Sequence, residues 1–412
     1  MSWRSLMVLV CLLWGWLAAA GEAEPPPTVT WEEVAAQVAT GPAALAAQAR
    51  VRAAQAAVST ARQYPNPELS VRRGGSGTED RTRDNALWGI EVALPLESVF
   101  LRRQRVRRAT AGVGTARSEA DVARLEVRQQ LRLLYLAVAY DQALAASYAT
   151  AMEQLAQMVE YVRVRVRQGE SRAVELARLE GEQAEAQAET EAAAAEARAN
   201  RQRLALWLNR EGPADFGVDM DLQVLPALWS AEDLRRRLIE HHPRLKAARN
   251  RAQEATAAMG VAAYTALPGV VVGGVYERDA GVSNHEVGVS LTVPLWNWNR
   301  SEVAAAKAEL QRATEEAAWL ERQLNEETLR LHGRASAVWA AAAQYTTRIL
   351  PNSVAVLAAV ESSYRAGETS LLDLLDARRQ AVRTRATYLA LVAEYHALWT
   401  ELDLLTGVSE NG

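Results

Sequence analysis

Hydrophobic positions along this chain follow two distinct periods. In 87–96, Trp88, Ile90, Val92 and Leu94 alternate with Gly89, Glu91 and Ala93. In 286–295, Val287, Val289, Leu291 and Val293 alternate with Gly288, Ser290 and Thr292. A period of two predicts strands with one apolar face and one small or polar face. Each run is about ten residues, the length a tilted barrel strand needs to cross a bilayer. Elsewhere the period is helical. The pattern predicts very long helices over 102–168 and 300–366, each extending roughly 100 Å. Shorter helices are expected over 31–64 and 231–266, and over 171–209 and 370–406, roughly 50 and 60 Å long. Laid end to end, two short helices match one long one. Each half of the chain then reads as an antiparallel pair of rods, one continuous and one in two segments. Leu125, Gln129, Arg132, Tyr135, Leu136, Ala139 and Ala143 form a mixed stripe rather than a strong core. Such rods suit side-by-side packing into a larger tube, or a plain solvated coiled coil.

The order of elements recurs. Trp31-Glu32-Glu33-Val34 resembles Ala231-Glu232-Asp233-Leu234, and Tyr64-Pro65-Asn66-Pro67 aligns with Ala266-Leu267-Pro268-Gly269. Val92-Ala93-Leu94-Pro95-Leu96 aligns with Leu291-Thr292-Val293-Pro294-Leu295. Arg167-Gln168-Gly169-Glu170-Ser171 aligns with Arg365-Ala366-Gly367-Glu368-Thr369, and Leu206-Trp207-Leu208-Asn209 with Leu404-Leu405-Thr406-Gly407. These landmarks keep one order at an offset of about 200 residues, the mark of an internal repeat. The expected organisation is a signal segment over 1–23, a first repeat over 24–210, a linker over 211–230, a second repeat over 231–407 and a tail over 408–412. The hairpins fall at 67–96 and 268–295.

Composition sharpens this. Hydrophobic residues make up 49% of 412, yet Phe occurs only twice against twelve Trp, and much of the apolar share is alanine. That suits close-packed helices rather than a compact aromatic core. The formal net charge is −4 with both signs interleaved, which argues against a general nucleic-acid binder. Arg4, the apolar run Leu6–Leu17 and Ala18-Ala19-Ala20 read as a secretory signal cleaved near Ala20 or Ala23. Cys11 is the sole cysteine and lies in that run, so the mature chain is expected to hold no disulfide or thiolate metal site. No later stretch of 18 apolar residues occurs, so any membrane span must be a β-barrel span.

The segment Leu291-Thr292-Val293-Pro294-Leu295-Trp296-Asn297-Trp298-Asn299-Arg300 marks where strand gives way to helix. Trp296 and Trp298 are placed for an aromatic belt at the headgroups, with Trp88 and Tyr276 serving nearer the other rim or on the lipid face. Pro294 ends strand pairing, and Asn297 or Asn299 can cap the helix from Arg300. The first copy instead crowds Arg102, Arg103, Arg105, Arg107 and Arg108 at its helix start, facing either lipid phosphates or solvent. Four strands cannot close a barrel, so the membrane reading requires an oligomer.

The two-copy layout, the Pro-Leu-Trp-Asn-x-Asn-Arg junction and the run Tyr364-Arg365-Ala366-Gly367-Glu368-Thr369-Ser370-Leu371-Leu372-Asp373-Leu374-Leu375-Asp376-Ala377-Arg378 resemble the TolC-like outer-membrane efflux proteins. The resemblance spans about 30 to 407, and the tryptophan-asparagine junction is most similar to the heavy-metal branch. It implies a mainly α fold with a transmembrane β-barrel portion: a homotrimer, twelve strands in the outer membrane of a Gram-negative-type bacterium and a long periplasmic α-helical barrel. It implies a passive exit duct, with divalent heavy-metal cations as the branch's cargo, joined to a periplasmic adaptor and an inner-membrane pump of the RND type. It places the tip loops Gly169-Glu170-Ser171 and Gly367-Glu368-Thr369 against the adaptor. It makes Asp373 and Asp376, three apart on one helix face, an acidic ring at a periplasmic gate, and gives Tyr364 a part in holding the closed state. Thr369 departs from the family where an arginine partner can occur, and Glu175 and Arg178 stand where the first copy would need the aspartates.

No enzyme signature is present: no His-Glu-x-x-His, P-loop or nucleophile elbow, and no cofactor motif. His241, His242 and His285 lack ligand spacing and read as structural. The competing reading is a periplasmic coiled-coil adaptor or structural protein without a channel.

Overall fold

The computed structural model describes residues 27–75, 86–212, 214–279 and 282–407. The expected signal segment, Cys11 and the tail over 408–412 lie outside the described residues. The chain forms two compact units. Of the described residues, one gathers those within 27–37, 131–226 and 337–397; the other gathers those within 38–130, 227–336 and 398–407.

The element order is β1 (Thr28–Val29), α1 (Trp31–Thr40), α2 (Pro42–Arg62), β2 (Glu68–Gly75), β3 (Ala86–Leu96), α3 (Val99–Arg167), α4 (Ala173–Trp207) and β4 (Gly217–Val218). It continues through α5 (Ala231–His241), α6 (Pro243–Thr265), β5 (Gly269–Asp279), β6 (Val282–Thr292), α7 (Arg300–Gln344), a π-helical segment (Tyr345–Ile349), α8 (Leu350–Ala366) and α9 (Leu371–Thr406).

Three helices expected to be continuous are interrupted, each at a proline. Pro42 and Pro243 open α2 and α6, and the residues before them, Gly41 and His242, are extended. A proline disfavours helical geometry in its predecessor and is welcome at a first helical position, so one rod becomes two. His242 also caps α6, its Nδ1 accepting the Arg244 N–H at 3.2 Å. In the second long helix Pro351 lacks an N–H and its ring crowds the carbonyl four residues back. The helix widens into a π turn just before it, with Leu350 N–H reaching Tyr345 O. The hydroxyls of Thr346 and Thr347 donate to the carbonyls of Ala342 and Ala343 at 3.0 and 2.8 Å.

In the first unit, Leu155, Met158, Val159 and Val162 of α3 pack with Leu179, Tyr364, Leu371, Leu374 and Leu375. This core brings the two helical turns together. The linker is more than a connector. β4 pairs in parallel with β1, and Tyr135 Oη donates to Val29 O and Asp219 O at 3.1 and 2.9 Å. Tyr395 Oη donates to Pro226 O, and His396 Nε2 lies 3.0 Å from Leu222 O.

In the second unit, Leu238, Leu245 and Leu324 form the apolar core. The α3–α6 contact is polar: Thr115 bonds Glu254, Asn250 bonds Ser118 and Arg251 bonds Glu119. Gly112 and Gly114 leave room for the Glu254 and Asn250 side chains. Two of the arginines at the start of α3, Arg102 and Arg105, have protein partners. Arg102 donates twice to Arg62 O, at 3.0 and 2.7 Å, and Arg105 pairs with Glu97. They complete the C-terminal end of α2, which a cation favours. Before α7, Asn299, at φ 56°, braces α6 in a similar way, its Nδ2 donating to Ala262 O at 2.8 Å. Asn297 Oδ1 accepts the Asn299 N–H, so it shapes the turn before α7.

Candidate functional site

The four strands form one antiparallel sheet in the order β2-β3-β5-β6. Register decides which side chains share a face. Ile90 pairs with Val71 and Tyr276, Val92 with Leu69 and Gly274, and Leu94 with Val272. Val272 pairs in turn with Val289, and Val270 with Leu291. Apart from Arg73, Arg278, Ser283 and His285 at its loop end, one face is therefore apolar across all four strands. On the other, Glu91 pairs with Ser70 and Val275, Gly273 with Ala93 and Gly288, and Val271 with Ser290. Arg72 and Glu91 form an ion pair there at 2.5 Å. β6 ends at Thr292 rather than 295, because Thr292 pairs with Gly269, the first residue of β5.

The expected belt residues separate to the two ends of this sheet. Trp88 and Tyr276 stand 5.2 Å apart, and Tyr276 also meets His285 at 5.0 Å, toward the loop end. Trp296 and Trp298 follow β6 at the helix end and are 92% and 56% exposed. Strands of 11 residues, tilted by about 45°, rise about 25 Å, the height of a barrel's apolar band.

In the first unit both helical turns close alike. Gly169 and Gly367 adopt φ 77° and 79°, the left-handed region that glycine enters without a Cβ penalty. The next N–H, of Glu170 or Glu368, returns to Arg165 O or Ser363 O at 2.9 Å. Gly169, Glu170, Gly367 and Glu368 are exposed, with Ser171 and Thr369 half-buried. Arg165 and Arg365, one from each turn, lie 5.8 and 6.0 Å from the Tyr161 ring. The proposed docking residues thus stand at one end of one unit.

Asp373 and Asp376 line a groove of about 1010 Å³ with Gln344, Arg348, Asn352 and Gln380. Both aspartates are exposed. Asp373 also caps its own helix. Its Oδ2 accepts from Ser370 Oγ at 2.7 Å and from Ser370 N at 3.2 Å, while its own N–H donates to Ser370 Oγ. This reciprocal cap opens α9. The Ser370 hydroxyl, then its backbone N–H, hold the Asp373 carboxyl below the usual range.

Tyr364 does not face this groove. Its ring is 6% exposed within the apolar core of the turns, and its hydroxyl is among the buried groups without a hydrogen-bond partner. Burial, then Glu175, raises its pKa. Sequence reasoning missed two arginines that fasten α9. Arg379 pairs with Glu182 of α4 through two nitrogens, and Arg378, nine-tenths buried, donates to Glu361 of α8 at 2.7 Å. It also missed Arg348, which the π segment presents to the groove. The mixed Arg/Glu pattern on these helices was the available signal. Among the described residues no group of three His, Cys, Asp or Glu is placed to hold a metal, and no helix is long and apolar enough to cross a membrane.

Residues 234–408 match the family described as outer membrane efflux protein. Over 365 residues, covering 88% of this chain and 86% of the relative, the chain is 25% identical to the cobalt-zinc-cadmium resistance protein CzcC of Cupriavidus metallidurans. Its fold is similar to that of the outer membrane protein VceC of Vibrio cholerae (TM-score 0.76, 18% identity, 91% of this chain and 95% of that one). It is likewise similar to that of CusC, a protein studied for its transmembrane channel formation (TM-score 0.78, 15% identity, 92% of each chain).

Proposed function

We propose that this chain, a TolC-like outer-membrane efflux protein by the family match of its second half and by a fold shared over 91–92% of its length, is the exit duct of a tripartite efflux pump. It catalyses no reaction and conducts passively. The observation that carries this reading is the sheet: apolar on one face, small or polar on the other, with aromatic residues at both ends. Among the described residues, β2 and β6 each have a strand neighbour on one side only. Lipid cannot satisfy the free N–H and C=O groups of such edges, so neighbouring copies must. Three copies of four strands make twelve, an even number in the range of bacterial barrels.

On this reading the helices continue the duct through the periplasm. The exposed turns at Gly169-Glu170-Ser171 and Gly367-Glu368-Thr369 meet an adaptor that links the duct to an inner-membrane pump, of the RND type by the family resemblance. Asp373 and Asp376, two per protomer and six in a trimer, form the acidic gate ring. Tyr364 supports the closed gate by packing beneath it. The two halves are copies of one unit, which the matching proline breaks, left-handed glycine turns and helix-end braces support. CzcC is a cobalt-zinc-cadmium resistance protein, and that likeness makes divalent heavy-metal cations the substrate class taken here.

The test is to extract the chain from outer membranes and insert it into planar bilayers. Heat-resistant trimers with discrete single-channel conductance are expected. A heat-labile monomer with no conductance overturns the proposal in favour of a periplasmic structural protein. Deleting the gene and challenging cells with cobalt, zinc and cadmium tests the substrate class separately.

A further inference from the structure

The groove that holds the aspartates carries an opposite charge at its other end. Gln344, Arg348, Asn352 and Val356 recur every four residues along one wall, and Asp373, Asp376, Gln380 and Thr384 form the other. The Arg378–Glu361 bond sets the register of the two walls, placing residue 361 beside 378. With 361 beside 378, the antiparallel register puts Asp376 and Asp373 level with residues 363 and 366, so Arg348 lies roughly 22 to 27 Å from the aspartates along the groove. An arginine side chain does not span that gap. Among the described residues, Asp373 and Asp376 are the carboxylates that line the groove, both at the far end from Arg348.

The placement of Arg348 is built into the backbone. It sits within the π segment that Pro351 forces, a wider turn than the α-helix on either side. The back-bonded Thr346 and Thr347 secure the carbonyls of the preceding turn. Its side chain is exposed.

We propose that Arg348 is a specificity-determining residue of the duct. This rests on the reading above, that the groove faces the lumen of a trimer. Three Arg348 side chains then form a cationic ring roughly 25 Å inward of the aspartate ring. The Debye length is about 8 Å at 0.15 M salt, so neither ring neutralises the other, and an ion meets two filters of opposite sign in series. The acidic ring favours cations at the tip, and the arginine ring raises their cost further in and admits anions. Cation preference is the resultant of the two rings.

The experiment measures reversal potentials of the full-length trimer in planar bilayers under a KCl gradient near 0.1 M. Variants are Arg348→Gln, Arg348→Lys and Asp376→Asn; Asp373 is left alone because it caps α9. Arg348→Gln is expected to raise the cation-over-anion permeability ratio roughly two- to fivefold, Arg348→Lys to keep the wild-type ratio, and Asp376→Asn to lower it. The Arg348→Gln effect should fade near 1 M salt, where the Debye length is about 3 Å. An unchanged ratio in Arg348→Gln alongside a lowered one in Asp376→Asn overturns the arginine ring and leaves the gate reading standing. No change in either variant overturns both.

Discussion

Tyr364 offers a quantitative test of how the helical turns are held. Its ring packs against Leu155, Met158, Val159, Val162 and Leu179 and the leucines that open α9, while its hydroxyl is buried without a partner. Removing the whole ring by Tyr364→Ala opens a cavity in that core, which costs about 3–5 kcal/mol for a buried aromatic. Removing only the oxygen by Tyr364→Phe breaks no hydrogen bond and relieves a desolvation penalty on the order of 1–3 kcal/mol. The two variants should therefore move in opposite directions, or Phe should be neutral. For a unit of this size each kcal/mol shifts the melting temperature by roughly 2–4 °C. Helix-signal melting of the purified protein in detergent should then show Tyr364→Ala falling by roughly 6 °C or more, and Tyr364→Phe unchanged or slightly higher. If Tyr364→Phe falls as far as Tyr364→Ala, the hydroxyl has a partner in the assembly and the packing account of this residue is wrong.

Other expectations follow from the same structure. Gly169→Val and Gly367→Val force a branched side chain into left-handed backbone with open space around it, so the cost is conformational, at least about 1–2 kcal/mol, and limited proteolysis should cut faster at the altered turn. Burial, then the Arg244 charge, lowers the His242 imidazole to about 4. As pH falls the unfolded chain binds that proton first, so this contribution is complete above about pH 6.5 and is lost on the way down through 4, on the order of 3 kcal/mol. Denaturant titrations at pH 7, 5.5 and 4 should show the loss in the wild type and a flatter response in His242→Asn, which keeps a capping oxygen. Val289→Lys puts a charge on the apolar face of the sheet, at about 2–4 kcal/mol in mid-bilayer, and should abolish heat-resistant assembly, whereas Ser290→Lys on the opposite face should be tolerated.

Much of the architecture was legible because its periods are long and repeated. Alternation in 87–96 and 286–295 named the strand faces that the register confirms, and Gly169 and Gly367 marked the two turns. The helix interruptions were also written in the sequence, at Pro42, Pro243 and Pro351, but an uninterrupted helical period on both sides hid them. The linker strand escaped notice because Gly217–Val218 is too short for any periodicity, and its partners are 189 residues away. Asp373 and Asp376 share a groove as their spacing suggested, yet the Ser370 cap gives Asp373 a structural role that spacing alone did not distinguish. The burial of the Tyr364 ring was not legible, because it depends on α3 and α4, which lie far off in sequence.

The most direct measurement is cysteine scanning across β6, since Cys11 is the sole native cysteine. Single cysteines at 286–292 in membrane-embedded protein would be challenged with a water-soluble maleimide. Glu286, Gly288, Ser290 and Thr292 should label, and Val287, Val289 and Leu291 should be shielded by lipid until detergent is added. Uniform labelling along the strand would place the sheet in water and contradict the duct.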